Sequence, residues 1–338
     1  MVPLISILIP NYNRSIALAR AFCSVSRQTD ADAEVIVVDD GSEVDLSRTY
    51  AYLRARGARI LRLPRRRGGS HARNVAVREA TGAHVSFLDS DDAWLPGHYD
   101  RLREVTRARA GRAQVSGVML YQWGEVTDFA QPAWPDGMSP ADFIYRDGGR
   151  LQTSMLTLPR EVARAHPFRE ALRVNQDSDF ALRLHASGIR FALDPVPGII
   201  KDESHDDARL SHDVALVDQS LAWFREVSGD WPAAARSGYY LRDRAWRLVA
   251  AERRLEALGA VLRGNLPPVA PGVSARIAAE AVLGHDAYAR ARARFRRLRP
   301  RPGAAPGDPP ALAWLRDLDA EARRALPAEA DAAGAGAR

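Results

Sequence analysis

A chain of 338 residues with 46% hydrophobic content can bury a large core and is long enough for one large domain with an appendage. Its single cysteine, Cys23, excludes an intramolecular disulfide and fits a reducing compartment. The formal net charge of +6 comes almost wholly from arginine, Lys201 being the only lysine. That balance favours phosphorylated or polyanionic partners without naming one.

The N-terminal run Leu4–Ile9 is too short for a signal peptide, and no later run approaches about 18 uninterrupted apolar residues. A soluble, cytoplasmic protein is therefore expected. Leu4–Ile9 reads instead as a parallel strand covered on both faces. Ile16–Gln28 carries helical spacing at Leu18, Phe22 and Val25, Glu34–Val38 is a second buried strand, and Leu46–Arg56 a second helix. Ile60–Leu63, the helix Ser70–Ala80 and the strand Val85–Leu88 complete four strand–helix repeats. Such alternation predicts an α/β fold with a mainly parallel, Rossmann-type sheet and right-handed crossovers.

Ligands of such sheets bind beyond the carboxyl ends of the strands. Three polar clusters fall there: Asn11–Arg14, Asp39–Ser42 and Asp89–Asp92. Asp89, Asp91 and Asp92 repel one another unless a cation lies between them, and an all-oxygen set suits Mg²⁺ or Mn²⁺ shared with substrate phosphates. The plainer reading is an Asp-rich turn before Ala93–Trp94. In Asp39–Asp40–Gly41–Ser42 the carboxylates can accept from a base N–H or a ribose hydroxyl while Gly41 permits a sharp turn. Arg65–Gly69 is a basic loop before a helix, where Arg66, Arg67 or Arg73 can meet phosphate. Neither G-x-x-x-x-G-K-[ST] nor G-x-G-x-x-G is present, which excludes a P-loop and disfavours a nicotinamide dinucleotide.

The segments PLISILIPNYNRS (3–15), VIVVDDGS (35–42) and GGSHARNVAVREATGAHVSFLDSDD (68–92) resemble the nucleotide-binding half of the family 2 inverting glycosyltransferases, which have the GT-A fold. LQTSMLTLPREVARAHPFREALRVNQDSDFALRLHASG (151–188) resembles the acceptor half of that family. The resemblance implies a nucleoside-diphosphate sugar (UDP, GDP or dTDP) bound through Mn²⁺ or Mg²⁺, and no nucleic acid among the partners. Pro10, Tyr12 and Arg14 would line the nucleotide pocket, Asp40 would meet the base or ribose, and Arg73 the diphosphate or sugar. Asp89 and Asp91, with Asp92 beside them, would bind ribose and metal, and His205 falls where relatives carry a histidine near the diphosphate and metal. Asp177 matches the family's general base, with Asp179 as the fallback. Gln176 stands where relatives carry glutamate, Arg66 where they often carry asparagine, and Ala76 where they often carry glycine.

The implied reaction is transfer of a sugar to an acceptor hydroxyl with inversion, the acceptor being unknown. A metal-dependent nucleotide-sugar mutase on the same fold is the alternative, and a non-catalytic binding module a third reading. Gln122–Arg150, rich in Gly, Pro and Trp, is expected to fold over the site, with Trp123 or Trp134 stacking on a sugar or packing in the loop. Residues 1–210 are expected to form the catalytic domain and 211–300 an Ala/Arg/Leu-rich helical appendage: Val214–Val227, Pro232–Leu262 and Ser274–Leu298. Residues 301–338 would be a linker, a short helix at Ala311–Leu326 and a disordered tail. Arg290–Arg301, with seven arginines, is a solvated helix face or a weak peripheral membrane contact.

Overall fold

The first half of the sheet is four parallel strands, and their order follows from which of them are fully apolar. In the computed structural model, which describes residues 4–108, 111–122, 124–203, 214–266, 269–284 and 309–327, strand β1 (Ile5–Asn11) lies between β2 (Ala33–Asp39) and β4 (His84–Phe87). Ile5, Ile7, Leu8 and Ile9 are wholly buried, as a strand covered on both faces requires. β3 (Arg59–Arg62) pairs with the outer side of β2, and its exposed terminal arginines suit an edge. Helices α1 (Ile16–Ser26), α2 (Ser47–Arg54) and α3 (Gly69–Glu79) make the crossovers. The expected alternation is present, with element ends moved by a residue or two.

Beyond β4 the sheet becomes mixed. β5 (Ala93–Trp94), β6 (Ala113–Gln122), β7 (Glu125–Phe129), β8 (Leu156–Pro159) and β9 (Phe191–Asp202) complete nine strands in the order β3-β2-β1-β4-β8-β6-β9-β5, with β7 folded back on β6. β8 is antiparallel to both β4 and β6, whereas β9 runs parallel to β6. The β6–β9 register slips at Gly117, where a Cβ would sit 2.5 Å from the Pro195 carbonyl oxygen. Only glycine admits so close an approach. The segment expected to cover the site holds β7, a packed turn and a π-helical turn at Asp142–Arg146. Trp134 is buried, stacked between Phe143 (3.9 Å) and Phe191 (4.9 Å), with its indole N–H donating to the Met138 carbonyl. It is a core residue and is not free to stack on a sugar. Trp123 lies outside the described residues.

Helix α4 (His98–Ala108) follows β5, and α5 (Arg160–Ala165) and α6 (Gln176–Ala186) flank the second half of the sheet. The helical part comprises α7 (Val214–Val227), α8 (Ala233–Tyr239), a π-turn (Tyr240–Arg244), α9 (Ala245–Ala250), α10 (Arg254–Arg263) and α11 (Pro271–Leu283). The single pattern Pro232–Leu262 is thus broken, and Glu252 turns the chain with φ +57°. An aromatic cluster of Tyr145, Trp223, Phe224, Trp231 and Tyr239 joins this part to the sheet domain. The last described helix, α12 (Pro310–Ala325), returns to α1. Arg27 on α1 pairs with Asp317 (2.6 Å) and Glu321, and the Trp314 indole donates to the Trp94 carbonyl (2.9 Å). No helix among the described residues is long and apolar enough to cross a membrane.

Leu318 is wholly buried where α12 meets the domain. Leu318→Ala should lower the unfolding free energy by about 2–5 kcal/mol in urea denaturation of the full chain, the cost of a core cavity. A change within about 0.5 kcal/mol, as at a surface position, would show that α12 is not part of the cooperative core.

Candidate active site

Parallel pairing in register delivers the ends of β1, β2 and β4 to one edge of the sheet. Asn11 stands opposite Asp39, and the Asp40 N–H donates to the Asn11 carbonyl at 2.8 Å. Gly41 takes φ +72°, and a Cβ there would meet the Arg65 backbone at 2.5 Å, so the β2 turn and the arginine loop are in contact. Asp40 is buried and binds that loop: one oxygen accepts the Arg67 N–H (2.8 Å), the other the Gly68 N–H (2.6 Å). The Arg66 guanidinium lies 4.1 Å over the Tyr12 ring. Pro10 lies in β1 opposite Val38. Asn11, almost fully buried beside Asp40, has neither its amide nitrogen nor its amide oxygen hydrogen-bonded. A buried, unpaired amide at a strand end is the kind of group that a ligand or an ordered water satisfies.

The aspartates after β4 divide into two kinds. Asp92 is wholly buried and points into the protein: its oxygens accept from the Ser154 hydroxyl (2.6 Å) and the Asp202 N–H (3.2 Å), with Lys201 at 3.8 Å. Burial pushes its carboxyl up to about 7 against the pull of Lys201, with Asp91 and Asp89 adding to the rise. Asp89 and Asp91 remain partly exposed, their side chains at 24% and 18%. Asp89 accepts from Arg73 (2.5 Å) and Asp91 pairs with Arg14 (2.9 Å). Burial alone would raise the Asp89 carboxyl, but Arg73, Lys201 and Arg14 outweigh it and hold the group below its usual range. Behind them, the buried Arg20 of α1 donates to the Asp91 carbonyl (2.7 Å) and to Asp202 (2.8 Å), fixing the turn.

Three oxygen ligands from the aspartate run were expected. The local geometry leaves two carboxylates on the open side, because Asp92 is consumed by Ser154 and the β9 end. Among the described residues no group of three or more His, Cys, Asp or Glu side chains is arranged to hold a metal. Two carboxylates still fit a hard divalent cation that takes its remaining ligands from substrate phosphates and water. His205 lies outside the described residues.

Across the site, Asn175 enters α6 in the left-handed conformation (φ +57°) and places Gln176 and Asp177 in its first turn. Arg73 is the bridge: one guanidinium nitrogen binds Asp89, the other the Gln176 oxygen at 3.1 Å. Asp177 accepts a hydrogen bond from the Thr153 hydroxyl. Burial raises its carboxyl above the ordinary value and Asp89 adds to the rise, against the opposing effects of Arg73 and of the Thr153 hydrogen bond. Asp179, two positions on, faces the opposite way. It is buried and takes bonds from the Trp223 indole (3.0 Å), Arg183 (2.9 Å) and Arg169 (3.2 Å), which fasten α6 to α7. Three donors already hold it, two of them cationic, away from Arg73.

Some contributors were not singled out from the sequence. Thr153 and Ser154 sit on a short 3₁₀ turn and touch Asp177 and Asp92. Asp243, on the π-turn, accepts from the Asn175 amide (3.0 Å), from Ser220 (2.8 Å) and from Arg247 (2.8 Å). Burial opposes its charge, but Arg247 and these hydrogen bonds hold it ionised, below the usual range. Only its i,i+4 spacing to Arg247 is visible locally; Asn175 and Ser220 lie far away in the chain.

The family model described as "Glycosyl transferase family 2" matches residues 6–161. The amylovoran biosynthesis glycosyltransferase AmsB of Erwinia amylovora is 29% identical over 204 residues, 56% of this chain and 66% of that protein. A GalNAc(5)-diNAcBac-PP-undecaprenol beta-1,3-glucosyltransferase of Campylobacter jejuni is 32% identical over 124 residues, 36% of this chain and 40% of its own. The chain thus spans less than two thirds of the length of either relative. The crystal structure of S. aureus TarS 1–349 in complex with UDP-GlcNAc superposes with TM-score 0.59 at 15% identity, covering 90% of this chain and 98% of that one. The fold is therefore a mixed α/β, GT-A-like one.

Removing Asp243 strands the buried Arg247 and releases Asn175. Asp243→Ala should cost about 3–5 kcal/mol of stability in chemical denaturation. Asn175→Gly, which keeps the left-handed turn, should cost far less. Equal losses in the two variants would disprove the assignment of the burden to the Asp243–Arg247 pair.

Proposed function

We propose that the chain, whose residues 6–161 match the model of glycosyl transferase family 2, transfers a sugar from a UDP-sugar to an acceptor hydroxyl, with inversion at the anomeric carbon. The observation that carries this reading is the Arg73 bridge. It sets the carboxylates after β4 and the first turn of α6 around one buried guanidinium. A donor diphosphate beside Asp89 and a proton acceptor on α6 would then share one cation between them.

Each side chain then has a task. Tyr12, with Arg66 over it, offers a face for the base, and the unpaired Asn11 amide offers it a donor and an acceptor. Arg14 and Arg73 supply positive charge for the diphosphate. Asp89 and Asp91 would hold Mn²⁺ or Mg²⁺, which neutralises charge on the departing diphosphate when bound. Asp177 takes the acceptor hydroxyl's proton as its oxygen bonds the anomeric carbon, and the nucleoside diphosphate leaves with the electron pair of the broken C–O bond. A positioned base of this kind contributes about 10²–10⁴-fold. A UDP donor is favoured by the fold relative bound to UDP-GlcNAc. The acceptor class we favour is a saccharide carried on a polyprenyl diphosphate, as the name of the Campylobacter relative describes for that enzyme.

Purified protein incubated with UDP-, GDP- and dTDP-sugars and lipid-linked acceptors, with Mn²⁺ or with EDTA, tests this by mass spectrometry. Metal-dependent UDP release with a heavier acceptor is expected, and Asp177→Asn should lower kcat by about 10²–10⁴-fold while donor binding persists. A nucleotide sugar of unchanged mass but altered NMR spectrum would replace transfer with rearrangement. The pH profile gives a second check. The Thr153 hydroxyl stabilises ionised Asp177, so Thr153→Val should raise that carboxyl further. Activity would then be lost at higher pH on acidification, by roughly one unit for one hydrogen bond to a charge. An acid limb that stays in place would remove Asp177 as the titrating base.

A further inference from the structure

The two faces of α10 are the reverse of what a water-facing helix requires. Its inner face is made of small residues: Ala257, Ala260 and Val261 pack on Leu241, Ala245, Leu248 and Val249. Its outer face carries Leu255 (85% exposed), Leu262 (70%) and, just past its end, Leu266 (78%). Leu255 and Leu262, seven positions apart, fall on one side of α10, and Leu266 lies in the turn that follows it. Gly259 lies between them with open space beyond it. At the end of α11, Val282 (66%) and Leu283 (52%) add to this surface. Next to them, Gly284 lies against the Arg254 guanidinium, at 2.5 Å from a Cβ built there, so the end of α11 meets the start of α10. Elsewhere among the described residues only Val44 and Val196 are large apolar side chains so exposed. A concentration of aliphatic groups on one hairpin marks an interaction surface.

The charge of the chain identifies its occupant. Residues 285–301, which follow α11 directly, contain seven arginines and one aspartate, a formal charge of +6. That equals the formal net charge of the whole chain, so the remaining residues sum to zero. Arg254, Arg263 and Arg276 are also exposed on the hairpin itself. A second copy meeting this face would bring two such charges together at a cost in repulsion. An anionic bilayer accepts both features at once: aliphatic side chains enter the boundary between headgroups and acyl chains, and arginines meet lipid phosphates.

We propose that the leucine face of the α10–α11 hairpin is a peripheral docking site for an anionic membrane surface. The site is separate from the residues around Arg73 and does not depend on the transferase reading. The full chain should co-sediment with vesicles of phosphatidylcholine and phosphatidylglycerol and only weakly with phosphatidylcholine alone. The triple variant Leu255→Ser, Leu262→Ser, Leu266→Ser should bind the anionic vesicles at least about tenfold more weakly, with an unchanged melting temperature. A dye on Leu262→Cys, with the buried Cys23 unlabelled, should shift to shorter emission on the same vesicles. Unchanged binding by the triple variant, or unchanged emission, would overturn the proposal. So would a dimer of the wild type, seen in sedimentation velocity, that the triple variant abolishes.

Discussion

Arg73 is a guanidinium taken almost wholly out of water, and acceptors meet its two terminal nitrogens while its Nε–H is left without one. Its acceptors come from two separate parts of the fold. Asp89 arrives at the end of β4, and Gln176 arrives on α6, after the sheet has turned from parallel to mixed. The requirement to satisfy one buried cation therefore ties the nucleotide-side turn to the helix that presents Asp177. The cation also sets the charge state around it: it holds Asp89 ionised and limits how far burial raises Asp177.

A second buried layer keeps that arrangement from relaxing. Asp92 spends its oxygens on Ser154 and the β9 backbone, and Arg20 spans the Asp91 carbonyl and Asp202. Both interactions run to Asp202 at the end of β9, so the turn at Asp91 is held by a strand that does not pair with β4. This explains why neighbouring carboxylates act differently. Asp91 and Asp92 are consecutive, yet one remains at the surface and the other props the turn from behind. Asp177 and Asp179 repeat the pattern, since two helical positions differ by about 200° and must face opposite sides.

These divisions also mark the boundary of what the amino-acid sequence makes legible. β1, β2 and β4 are largely covered strands and show themselves as mostly apolar runs, interrupted only by small or terminal polar residues such as Ser6 and Ser86, so the parallel half and the place of its polar ends can be read directly. β5 has two residues, and β9 carries two prolines and a register slip, so neither displays a period to detect. The carboxylates that a turn exposes are visible as a motif. Which of them the interior consumes depends on Ser154, Lys201 and Asp202, residues that become neighbours only in the folded sheet. Asp40 illustrates the same point: it reads as a base-binding carboxylate, and in the fold both of its oxygens hold the arginine loop. Asn11, unremarkable within its cluster, is the residue left without partners.

The helical part is bound to the site by the same rule of satisfied buried charge. Asp243 is ionised in the interior because Arg247, Ser220 and the Asn175 amide surround it, and Asn175 is the left-handed residue from which α6 starts. A non-glycine residue in that conformation carries strain, which the surrounding contacts must hold in place. The π-turn that bears Asp243 also supplies Leu241 to the core beneath α10. One continuous packing path thus runs from the start of α6 through the π-turn to the hairpin with its leucines outward. Were Asp177 the base and the leucine face a membrane contact, as proposed, this path would set the attitude of α6 to the bilayer surface.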